Sequence, residues 1–147
     1  MTSFARAYFA YGTLRPGSRY WTNVAAYVAQ YDPAYIDGFD LYDLPEGYPA
    51  IVAGTGRVFG DLLYVRTGEE LAMARVADDI EDFDEGDPGS LYLRRQVLVT
   101  RLRGPQLPAV PAVTYVFNPH REATVEARGV RVPEGDWREF VAERDGA

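Results

Sequence analysis

The sequence predicts one α+β domain with more strand than helix. Short apolar or alternating runs recur along the chain, each bounded by Gly, Pro, Asn or Asp. Only one long stretch, residues 68–86, repeats its apolar residues at helical spacing. No internal repeat, low-complexity tract or linker divides the 147 residues, so a single domain over 1–147 is expected, long enough to bury a real core.

Residues 5–14 are mostly apolar, the pattern of a central strand covered on both faces. Residues 19–31 suit a short helix ended by Asp32-Pro33. Residues 34–44 alternate, as a strand that bends at Gly38. Residues 45–56 read as a Gly- and Pro-rich loop around Ala50-Ile51-Val52. Residues 57–66 form another strand, with Gly60 at a bulge or close approach. In 68–86, Leu71, Met73, Val76, Ile80 and Phe83 mark a helix that Gly86 is placed to stop. Residues 90–102 and 107–118 are two more strands, the prolines of the second marking an edge or an irregular start. Residues 133–147 end in a short helix with Trp137, Phe140 and Val141 on one side.

Charge and composition remove several functions. A formal charge of −7 argues against a nucleic-acid partner, whose phosphates need basic surface. With no Cys there is no disulfide, thiolate nucleophile or zinc–sulfur site. The one histidine, His120, sits in a turn-like polar stretch and reads as a surface loop residue, so a multi-histidine metal site is impossible. Ser18 and Ser90 lack a plausible base, which removes nucleophilic catalysis by serine. No signal segment and no apolar run near 20 residues is seen, so a cytoplasmic protein without a membrane partner is expected. Acid–base chemistry is left to a carboxylate.

Two stretches carry chemistry. The first is Tyr11-Gly12-Thr13-Leu14-Arg15-Pro16-Gly17, where an apolar run stops at a glycine that suits close backbone approach. The second holds seven carboxylates: Asp78, Asp79, Glu81, Asp82, Asp84, Glu85 and Asp87. Most of the seven read as a solvated helix face. The EF-hand spacing is not matched, and no metal or cofactor is expected.

These stretches occur in one order with GFDLYDLPEGYPAIV, GDLLYV, LYLRRQVLV and a late GDW. Together they resemble the gamma-glutamylcyclotransferase-like family over about Tyr8 to Trp137. That family includes gamma-glutamylamine cyclotransferase and plant avirulence-induced branches, and YGTLRPG is closer to the gamma-glutamylamine branch than to the glutathione-degrading one. The resemblance implies a small closed mixed-strand β-barrel with a few flanking helices. It also implies a cavity where the Tyr-Gly-Thr-Leu segment lies beside one acidic residue. There Gly12 would let the Thr13 and Leu14 amides approach a substrate oxygen, with Tyr11 and Tyr92 in the wall.

The family's acid stands in a pattern like Leu-Asp-x-x-Glu-Gly, with a Tyr six or seven residues later. Here Asp82-Phe83-Asp84-Glu85-Gly86 is followed by Tyr92, which makes Glu85 the implied catalytic residue. Asp84 stands where the family has an apolar residue, and a one-residue slide puts Asp84 itself in the catalytic slot. The implied reaction releases 5-oxoproline and an amine or amino acid from a gamma-glutamyl compound. The substrate's own α-amine attacks its γ-carbonyl, so the protein supplies only conformation and proton transfer. A non-catalytic binding module of the same fold is the alternative. Arg15 reads as exposed loop, Pro49 as a wall residue, and of Arg94 and Arg95 only one can face inward. The sequence leaves the oligomeric state open.

Overall fold

A computed structural model describes residues 4–83, 87, 89–118 and 128–146. The ring is built from β1 (Ala7–Ala10), β2 (Val28–Asp43), β3 (Pro49–Val65), β4 (Tyr92–Arg101) and β5 (Val110–Phe117). Their order is β3-β1-β5-β4-β2, and the β2–β3 pairing closes it into a barrel. β1 runs parallel to β5, and the other ring pairs are antiparallel. A sixth strand, β6 (Val130–Arg131), lies outside the ring on the end of β2. Three α-helices occur among the described residues: α1 (Trp21–Val24), α2 (Glu70–Ile80) and α3 (Trp137–Gly146). Among the described residues, no helix is long and apolar enough to cross a membrane.

All four residues of β1 are buried, as its unbroken apolar run predicts, because the strand lies between β3 and β5 with both faces covered. Its side chains divide between two cores. Ala7 and Phe9 join Ile36, Ile51, Leu62, Val99 and Val116 in a cluster drawn from all five ring strands, the filling of a small barrel. Tyr8 and Ala10 join Leu63, Val24, Met73 and Ala77 under α1 and α2. At Gly60 the expected close approach is real, since a Cβ there would collide with the Ala10 carbonyl.

Two expected elements differ. The helix over 19–31 shrinks to α1 and one 3₁₀ turn, Ala25–Tyr27, and β2 starts at Val28. Val28 pairs with Val65, and Gln30 and Tyr31 pair with Tyr64 and Leu63, so ladder bonds outweigh helical preference. The loop over 45–56 is mostly strand. β3 starts at Pro49 and pairs with β2 over almost its whole length, through a register shift between Asp37 and Phe39. Gly38, with φ +93, supplies the bend expected there.

Helix α2 also ends earlier than Gly86. The Phe83 N–H donates to the Asp78 carbonyl at 2.8 Å and the Asp82 N–H to the Asp79 carbonyl at 3.2 Å. Asp82 itself has φ +52. This is a Schellman stop with aspartate in the left-handed position usually held by glycine.

Candidate active site

The face of α2 that enters the core carries Met73, Ala74 and Ala77. Four residues beyond Ala77 the same stripe reaches Glu81 at the helix C-cap. The core stripe therefore ends on a carboxylate. Glu81 lines a narrow cavity of about 30 Å³ at the end of β1, together with Tyr11, Gly12, Thr13, Leu14, Tyr48, Pro49, Tyr92 and Tyr115. A wider outer space of about 190 Å³ shares Thr13, Tyr48, Glu81 and Tyr92, and adds Arg19, Tyr20, Ile80, Asp82 and Leu91. A small inner chamber thus opens past Glu81 into a larger vestibule.

Burial raises the Glu81 carboxyl from 4.5 to about 7, since the surrounding rings solvate its charged form poorly. Its place at a helix C-terminus, where the backbone dipole is negative, acts in the same direction. Among the described residues no hydrogen-bond donor is paired with this carboxyl. A carboxyl raised to about 7 can exchange a proton near neutral pH, and no salt bridge among the described residues ties it up.

The sequence-derived cavity residues Tyr11, Gly12, Thr13, Leu14 and Tyr92 come together here. Three of the chamber's tyrosine hydroxyls already have partners. Tyr11 donates to the Tyr115 carbonyl at 2.6 Å, Tyr92 to the Pro49 carbonyl at 2.7 Å, and Tyr115 to Asp78 Oδ1 at 2.5 Å. Burial pushes the pKa values of all three well above the ordinary tyrosine value. They form a neutral, fixed wall. The Thr13 and Leu14 amides, by contrast, are taken by no carbonyl among the described residues. The turn that carries them is closed by the Arg15 N–H donating to the Gly12 carbonyl at 3.1 Å. Gly12 has little room for a side chain, because Pro49 packs against it.

The residues singled out around this site fall in several places. Glu85 and Asp84, the acids matched to the family pattern, lie outside the described residues, as does His120. Glu81 was legible only as one of seven acids; the signal that separates it is its position on the stripe of Met73 and Ala77. Arg15 is not exposed. It is only 6% accessible and pairs through Nε with Asp61 Oδ2 at 2.8 Å, because the chain turns inward after Leu14. Arg94 faces Asp78, 3.5 Å away, and lies over the Phe83 ring, while Arg95 is exposed, as strand alternation requires. Among the described residues no group of His, Asp or Glu is arranged to hold a metal ion.

The protein is a closed mixed barrel in which Glu81 sits in a tyrosine-walled chamber, next to a turn whose Thr13 and Leu14 amides meet no carbonyl among the described residues. The chain belongs to the gamma-glutamyl cyclotransferase, AIG2-like family, whose model matches residues 8–139. An AIG2-like protein from Mus musculus has a similar structure, with 24% identity, 80% of this chain and 82% of that chain covered, and a TM-score of 0.63. The glutathione-specific gamma-glutamyl cyclotransferase of yeast is similar at 12% identity, with 98% and 86% covered and a TM-score of 0.58. An uncharacterised protein from Pyrococcus horikoshii is similar at 22% identity, with 95% and 96% covered and a TM-score of 0.58. At such identities the structural likeness carries the fold. No curated protein sequence matches the chain.

Proposed function

We propose that the protein is a cofactor-free cyclotransferase in which Glu81 takes the acid–base role that the sequence pattern assigned to Glu85. The supporting observation is the Glu81 carboxyl, without a described donor and raised to about 7, in the chamber that Gly12, Thr13 and Leu14 line. The substrate is a gamma-glutamyl compound whose γ-carbonyl lies at that turn and whose leaving amine extends into the vestibule. The α-amine gives up a proton to the Glu81 carboxylate and attacks the γ-carbonyl carbon, forming the five-membered ring. The oxygen then carries negative charge, which the Thr13 and Leu14 amides receive. As the old C–N bond breaks, Glu81 returns the proton to the departing nitrogen. The products are 5-oxoproline and a free amine.

A carboxyl at an ordinary carboxylate pKa would be a poor donor at pH 7, and one held far above neutrality a poor acceptor. A value near 7 serves both halves. Incubation with a panel of gamma-glutamyl amines and gamma-glutamyl amino acids, followed by mass spectrometry, tests the reading. Release of 5-oxoproline supports it. Calorimetric binding of these compounds with no turnover would assign the protein to the non-catalytic binding modules instead.

A further inference from the structure

The geometry points to a brace built from the Gly135-Asp136-Trp137 segment and α3, in which Asp136, acting through Arg15, is a positioning residue for the Gly12–Arg15 turn. Its catalytic consequence rests on the cyclotransferase reading; its structural consequence does not.

An arginine as buried as Arg15 needs fixed partners. Its guanidinium has two, on different elements. Nε reaches Asp61 on β3, opposite Ala10 at the end of β1, and Nη1 reaches Asp136 Oδ1 at 3.2 Å. Asp136 is itself held, because the same oxygen accepts the Glu139 N–H at 3.2 Å in the first turn of α3. The segment before it is pinned to the barrel by backbone bonds. The Phe59 N–H donates to the Gly135 carbonyl and the Val132 N–H to the Leu41 carbonyl. Gly135 has φ +76, and a Cβ on it would collide with the Arg57 carbonyl, so the contact admits only glycine.

The same helix grips the opposite wall. Asp43, only 5% accessible, accepts the Trp137 indole N–H at 2.7 Å and Arg144 Nη1 at 2.6 Å. Asp43 pairs across the hairpin with Pro49, the residue packed on Gly12. One C-terminal element therefore holds two of the chain segments that line the Glu81 chamber. If the turn amides stabilise charge that appears only in the transition state, loosening them lowers kcat and leaves KM almost untouched.

The test uses the full-length chain carrying Asp136→Asn or, separately, Arg15→Lys. The asparagine keeps a cap acceptor but not the charge; the lysine keeps the charge but cannot fork to two carboxylates. Hydrogen exchange at the Arg15 amide, which closes the turn, should accelerate about tenfold or more in both variants, while β4 amides keep wild-type rates. Turnover should fall about tenfold or more with KM within about twofold. Unchanged exchange at Arg15 overturns the brace. So does a variant whose amides all exchange faster and whose Tm drops while kcat per folded molecule stays at the wild-type value. If the wild-type protein turns over no gamma-glutamyl compound, the cyclotransferase reading fails and the Arg15 exchange rate still decides the brace.

Discussion

A Cβ on Gly12 would stand 2.5 Å from Cγ and 2.9 Å from Cδ of Pro49. Pro49 also accepts the Tyr92 hydroxyl through its carbonyl, so moving its ring moves a second wall of the chamber. Gly12→Ala is expected to destabilise by about 1–3 kcal/mol through overpacking. The displaced turn should also cut turnover, by up to about 100-fold for an ångström of misplacement. Thermal denaturation and steady-state kinetics on the same preparation check both. A variant with wild-type kcat would remove this contact from the active geometry.

Replacing the proposed acid is the sharper test. Glu81→Gln keeps the shape but removes the titrating group, and turnover should fall by about 100-fold or more. Asp82→Asn, at an exposed position on the vestibule rim, should stay within about threefold of wild type. Glu85→Gln belongs in the same series. If it abolishes turnover while Glu81→Gln remains active, the acid is the one that the sequence pattern named.

The raised Glu81 pKa makes stability depend on pH in a definite direction. Below about 4.5 the carboxyl is protonated whether the chain is folded or not. Between 4.5 and about 7 the unfolded chain loses this proton while the folded chain keeps it, so stability falls as pH rises through that window. The loss is complete above about 7 and amounts to at most roughly 3.5 kcal/mol, at about 1.4 kcal/mol per unit. Glu81→Gln should therefore melt higher than wild type at pH 8 and almost equally at pH 4. A difference in Tm that does not change with pH would show that the carboxyl is not held neutral by burial.

Asp82 gives a prediction of opposite sign to that at Gly12. Its left-handed backbone costs a side-chain-bearing residue about 1–2 kcal/mol, although aspartate is among the more tolerant. Glycine loses about 0.4–1 kcal/mol through greater freedom of the unfolded chain. The strain is the larger quantity, so Asp82→Gly should stabilise by about 0.5–1 kcal/mol, read as a rise in the denaturant midpoint. A fall would mean that the aspartate carboxylate makes a compensating contact.

What was legible in the sequence follows from how local each cause is. The β1 strand announces itself because both of its faces are covered, and Gly38 and Gly60 mark a real bend and a real close approach. Residues 28–31 look helical alone and become strand only because Val65 to Leu63 lie alongside, a partner more than thirty residues away. Gly86 suggested too late a stop for α2, because an aspartate takes the left-handed position that glycine usually marks. The chamber's Tyr11–Leu14 wall was legible from its glycine and its family pattern. Glu81 was not singled out, since charge counting cannot rank seven neighbouring acids, whereas the register of Met73 and Ala77 can. The buried state of Arg15 depends on Asp61 and Asp136, so no local pattern foretold it.

The parallel contact between β1 and β5 governs when this molecule can begin to exist. Tyr8 meets Val113, so β1, synthesised before β5, waits for a neighbour roughly a hundred residues later. At about 5–20 residues per second, that wait is on the order of 5–20 s. The long β2–β3 ribbon joins sequence neighbours and can assemble during the interval, offering β1 one partner and leaving its other edge bare. An apolar Ala-Tyr-Phe-Ala edge exposed for that long makes the nascent chain, more than the finished barrel, the state in which aggregation threatens.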